Sequence, residues 1–205
     1  ADGLVKKLVS INAWPIPSYF FALQDYLPRG SHCALLMVAE GSLTSLRDLV
    51  KEFAGEVTYE KTAQEAKKCT SLAEYTWNHT TLHARSTDPN LTYLQSAFPY
   101  DPQLTLVKQM YEHFGGEVMI HLEFMRSQGK AIATGLQIVR YTTPGRLEEI
   151  ITYHEDQGIF IANPHTYILE DGGRKTIDPE QLAFKKLADP YGLMNPGKMR
   201  AWPSS

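Results

Sequence analysis

Apolar and polar positions follow two rhythms along this chain, and each change of rhythm marks an element. Leu4-Val5 and Leu8-Val9 have helical spacing, which Trp14-Pro15-Ile16-Pro17 breaks. Ser18 to Leu23 is an apolar run too short for periodicity to separate a strand from a buried helix. Cys33 to Ala39 reads as a strand buried on both faces. Ser42 then caps a helix whose apolar stripe is Leu43, Leu46, Leu49, Val50 and Phe53, with Gly55 at its end. Glu56 to Glu60 returns as a short strand, which completes a β-α-β unit. The next helix pattern, from Thr62 to Leu82, carries Cys69, Leu72 and Trp77, with His79 and His83 at its end. Asp88-Pro89-Asn90 stops it before a strand at Leu91 to Gln95.

The second half repeats the theme. Asp101-Pro102 starts a helix with Leu104, Val107, Met110, Tyr111 and Phe114 on one stripe, ended by Gly115-Gly116. Val118, Ile120, Leu122 and Phe124 then alternate with Met119, His121 and Glu123, a half-buried strand with one apolar and one polar face. Ser127-Gln128-Gly129-Lys130 is a hairpin signal, followed by a strand from Ala131 to Tyr141. Thr143-Pro144 caps a helix closed by Gly158, and a strand follows at Ile159 to Ala162. Asp178-Pro179 opens the last helix. Hairpins mixed with helices predict an α+β fold: one domain over residues 1–205, a mostly antiparallel sheet of ferredoxin-like units covered by helices on one side.

Composition narrows the classes of function. Apolar residues make up 43% of the 205 and charged residues 21%, enough for a packed core. The net charge is −3 with no Lys/Arg run, which argues against a nucleic-acid partner. No stretch reaches the ~18 apolar residues of a membrane span. Cys33 and Cys69 form no cluster and read as buried thiols in a reducing compartment, with the chain soluble in cytoplasm or an organelle interior. Asn78-His79-Thr80 and Asn90-Leu91-Thr92 fit the glycosylation pattern, but nothing else suggests secretion.

Several chemistries lack their motifs. No Gly-x-Gly-x-x-Gly, phosphate-binding loop or Gly-x-Ser-x-Gly occurs. His79 and His83 share a helix face, as zinc ligands would, but Thr80 stands where a zinc protease needs glutamate. His121 and Glu123 lie two apart on one strand face, so imidazole and carboxylate can polarise one another toward a common cleft, an arrangement suited to proton abstraction. His165 follows Asn163-Pro164 in a turn, where functional side chains collect.

The most informative stretch is Asp189-Pro190-Tyr191-Gly192-Leu193-Met194-Asn195-Pro196-Gly197-Lys198. Two tight turns in succession pin a short loop that presents Asn195 and Lys198. It resembles the terminal signature of the FAD-linked oxidases related to vanillyl-alcohol oxidase, in the glycolate oxidase and D-lactate dehydrogenase branch. The likeness extends to Leu35 through Gly41, to the helix bearing Trp77, to Ala97-Phe98-Pro99 and to the hairpin bearing His121.

The resemblance implies the C-terminal cap domain of an FAD-dependent oxidoreductase acting on a small hydroxy acid or alcohol. In that reading a flavin-binding domain outside these residues, in cis or in trans, carries the FAD. His121, Glu123 and His165 would be catalytic and Trp77 and His79 would bind substrate. Asn195 and Lys198 would approach the cofactor. The metal-bearing members carry a Gly-His-x-Gly-Asp-Gly-Asn-x-His run, replaced here by Ile120-His121-Leu122-Glu123-Phe124, and a Glu-His-Gly, replaced by Asn163-Pro164-His165-Thr166. No metal is therefore expected. The alternative from another class is a docking subunit that reuses the cap fold without catalysis.

Overall fold

The computed structural model describes residues 5–11, 21–28, 30–68, 72–75, 78–172 and 175–202. Among these residues seven strands form one sheet: β1 (Val5–Ile11), β2 (Cys33–Val38), β3 (Leu91–Ala97), β4 (Val118–Met119), β5 (His121–Ser127), β6 (Lys130–Arg140) and β7 (Phe160–Ala162). The helices are α1 (Leu43–Glu52), α2 (Ala63–Ala66), α3 (Asn78–Thr87), α4 (Thr105–Phe114), α5 (Pro144–Asp156) and α6 (Pro179–Ala188). The spatial order is β2-β1-β5-β6-β3-β7, β4 also pairs β6, and every pairing among the described residues is antiparallel. The fold is α+β, as the hairpin pattern predicts.

From β3 to β7, with β4 and β5 counted as one strand interrupted at Ile120 because both pair β6, the chain runs β-α-β-β-α-β, a ferredoxin-like unit, and β1 and β2 widen the sheet beyond β5. Local chemistry sets the helix starts. Thr143 accepts the Arg146 amide at 3.1 Å with Pro144 in the first turn of α5, and Asp178 accepts the Glu180 amide at 2.8 Å to open α6. Arg146 then holds Glu117 through Nε and Nη2, both at 2.8 Å, and ties the start of α5 to the residue before β4.

Two apolar clusters occupy opposite faces of the sheet. On one face Leu94, Val118, Leu122, Val139 and Ile161 pack beneath Met110 and Phe114 of α4 and Ile150 and Ile151 of α5. On the other, Leu35, Leu91, Met119 and Ile138 pack with Leu27, Tyr75 and Ala84 of α3. Helices therefore cover parts of both faces rather than one.

Five expectations are corrected. Val5–Ile11 is a strand, because β-branched residues with partners on both sides outweigh a brief helical spacing. β2 is an edge strand with Met37 exposed and not a doubly buried one. Residues 56–60 form no strand; Thr58 Oγ1 donates to the Tyr26 carbonyl at 2.6 Å instead, and β2 pairs with β1. The long helix over 62–82 is broken into α2, a 3-10 turn (Leu72–Tyr75) and α3. The predicted polar face of Met119, His121 and Glu123 is buried. Cys69 and Trp77 lie outside the described residues.

The core carries polar groups that sharpen two expected outcomes. A Cβ at Gly135 would collide with Ser96 Oγ and stand 3.3 Å from Gln137 Cγ and 3.4 Å from the His121 carbonyl oxygen. Gly135→Ala therefore overpacks a filled site, and a loss of roughly 1–3 kcal/mol is expected in urea unfolding. His154 is fully buried, its Nδ1–H donates to the Ile150 carbonyl at 2.7 Å, and burial pushes its pKa below the ordinary value. The unfolded chain binds a proton below pH ~6.5 that the folded core resists, so stability is full above that pH and falls as pH drops toward 5, by at most about 1.4 kcal/mol per pH unit. His154→Leu should flatten this segment of the stability–pH curve; an unchanged curve would assign the loss elsewhere.

Candidate active site

The register brings Glu123 on β5, Thr134 and Leu136 on β6, and Gln95 on β3 to one sheet face. With Phe160 and Ala162 of β7 they line an open cavity of about 300 Å³. Glu123 is its one ionisable lining residue among those described, and the carboxylate side chain is only 7% exposed. This face lies opposite α4 and α5. The apolar cluster that includes α3 engages Leu91, Met119 and Ile138, away from the residues that line the cavity.

His121 stands beside Glu123, with Nε2 3.7 Å from Oε1, and is fully buried. That separation exceeds a hydrogen bond and suits an ionic contact when the imidazole is protonated. Thr134 Oγ1 donates to the Glu123 carbonyl at 2.8 Å and fixes the backbone on which the carboxylate stands. The expected pair is thus real as a neighbourhood. Glu123 lines the cavity, and His121 stands behind it rather than facing a cleft.

His165 belongs to a different place. Its Nε2 lies 3.0 Å from Thr92 Oγ1 and its ring packs edge-on to Tyr93 at 5.0 Å. Thr92 is two strands across and three residues along from the row of His121, roughly 14 Å away by strand geometry. The two histidines do not share a pocket, which corrects the expectation that both line one. His79 is also separate: its Nδ1 is 3.3 Å from Glu74 Oε2, and with His83 and Ser86 it lines a surface hollow of about 270 Å³. Among the described residues no group of three His, Cys, Asp or Glu side chains could hold a metal ion.

The terminal loop is shaped by one carboxylate. Asp189 accepts the amides of Leu193 at 2.9 Å and Met194 at 3.0 Å and an ion pair from Lys185 Nζ at 2.7 Å. The Lys185 contact, followed by those amides, holds its pKa below the ordinary carboxylate range. Gly192 has φ +63° and leaves no room for a Cβ beside Trp202 Nε1, 2.9 Å away. Lys198 lays Nζ 3.3 Å from the Tyr167 ring centroid, and its carbonyl accepts the Leu169 amide at 2.9 Å. Asn195 is exposed with φ +49°, so the loop presents Asn195 while Lys198 turns back onto its own chain.

Sequence reasoning passed over Gln95, Ser96, Thr134 and Gly135. The signal was a glycine inside a strand pattern, which marks a close approach.

Asp189→Asn removes the charge from the loop's central acceptor. Hydrogen exchange at the Leu193 and Met194 amides should quicken by roughly tenfold or more, and exchange in β6 should not change. Unaltered exchange at those two amides would show that the turns alone hold the loop. Comparison with protein-family models and with curated protein sequences finds no match for the chain.

Proposed function

We propose that this chain is the substrate-binding cap domain of an FAD-dependent oxidoreductase acting on a small hydroxy acid or alcohol. The observation that carries the reading is the nearly buried Glu123 carboxylate at the wall of a small sheet-face cavity, with His121 behind it. An acceptor so placed can take a hydrogen bond, then a proton, from a substrate hydroxyl, and His121 orients it. The Asn-Pro-Gly-Lys resemblance supplies the class of reaction.

FAD itself does not fit this cavity. A cavity of about 300 Å³ suits a small ligand and not a whole dinucleotide. The proposed flavin is held by a separate FAD-binding domain, in cis or in trans, where it accepts the hydride. Asn195 and the exposed Tyr191, Leu193 and Met194 are the proposed contact with that domain. His165 and His79 are not assigned to the reaction, because neither lies at the cavity.

A second reading, a docking module without catalysis, is favoured by the same exposed apolar side chains and by Phe184 and Leu187 of α6. The visible spectrum of the protein in its native assembly separates the two. Flavin absorption in the blue is expected, and Glu123→Gln should lower flavin reduction by substrate by about 100-fold or more with the fold intact. Colourless native protein, or an unchanged reduction rate, would overturn the enzymatic reading.

A further inference from the structure

A helix of ~10 residues is marginal in water unless one of its faces is packed. α6 (Pro179–Ala188) has no buried residue. Asp178 caps its start, and Lys185 ties its last turn to Asp189 and to the Met194 carbonyl. Leu182 and Lys185 are half-buried. Ala183, Phe184, Leu187 and Ala188 lie on another face at i, i+1, i+4 and i+5, and all four are exposed, Phe184 by 68% and Leu187 by 80%. The apolar stripe of this helix therefore points away from the molecule, the reverse of a helix laid on its own sheet.

We infer that this stripe pairs with the same stripe of a second copy of the chain, the two α6 helices antiparallel across a two-fold axis. Charge decides the occupant. The first turn of α6 is acidic, with Glu180 following the Asp178 cap, and its last turn is basic, with Lys185 and Lys186. An antiparallel pair sets each acidic end beside the basic end of the other copy, at both ends at once, and opposes the helix dipoles. A parallel pair would bring like charges together. An anionic membrane surface lacks this match, because Glu180 is four residues before Phe184 and shares its face. The two alanines flanking the large side chains let the helix axes approach. The stripe offers roughly 400 Å² per copy, half of the ~800 Å² per partner of a standard interface, so the pair is weak and reversible. The inference goes beyond the flavin reading and uses none of Tyr191, Leu193, Met194 and Asn195.

Sedimentation equilibrium of the full 205-residue chain tests it. The mass should rise from monomer toward dimer between about 1 and about 500 µM. Leu187→Gln and Phe184→Gln, both at exposed positions, should each weaken association by roughly tenfold or more with the circular dichroism unchanged. Glu180→Lys and Lys186→Glu should each weaken it by about threefold or more, and an equimolar mixture of these two variants should recover it. A chain that stays monomeric at every concentration overturns the inference and leaves the stripe to a partner of another kind. A dimer that survives both glutamine substitutions overturns it too, as do charge variants whose mixture associates no better than either alone. None of these results bears on bound flavin, which the spectrum of the native assembly reads separately.

Discussion

The packing of α4 and α5 onto one sheet face is the contact on which the rest of the molecule depends. Met110, Phe114, Ile150 and Ile151 are buried there against strand residues that come from distant parts of the chain. Burying these four side chains contributes roughly 6 to 12 kcal/mol before entropy is counted, as large as the whole net stability of a typical domain. Because both helices follow the strands they cover, the β-α-β-β-α-β order closes on itself with antiparallel neighbours. The opposite face is then free to carry a cavity at its β5-β6-β3-β7 end. The larger apolar cluster and the cavity thus lie on opposite sides of one sheet.

That division is not clean, and the exceptions are informative. Gln137 and Ser96 are buried, with side-chain polar atoms that find no hydrogen-bond partner among the described residues. Groups of this kind each cost on the order of 1–3 kcal/mol when left without partners. They stand beside Gly135, where β6 carries no side chain, and by register all three face the α4–α5 side of the sheet, opposite the cavity-lining Glu123, Thr134 and Gln95. A core arranged for stability alone would fill this region with branched apolar residues.

Much of this arrangement was legible in the sequence. The helix stripe ending at Phe114, the hairpin at Gln128-Gly129 and the Thr143-Pro144 cap all rest on local chemistry, and each stands where expected. Failures came where long-range pairing decides. Val5–Ile11 is a strand because β2 and β5 flank it, and the 56–60 segment finds no such neighbours among the described residues. At the site, the closeness of His121 and Glu123 followed from a two-residue strand period. That His121 is buried did not, since burial depends on what covers the sheet. The expected company of His165 failed for the same reason: a turn position fixes exposure but not which row of the sheet it meets.

His165 acquires a different meaning from its position on the outer flank of β3. β7 pairs with Gln95, Ser96 and Ala97, so among the described residues the first half of β3 has no strand beside it on that flank. An open flank of that length is a template on which a foreign strand could add, the usual start of aggregation. The imidazole, held at Thr92 and Tyr93, occupies this gap. A histidine that looks like chemistry in the sequence packs here against the side chains of the half of β3 that β7 leaves uncovered.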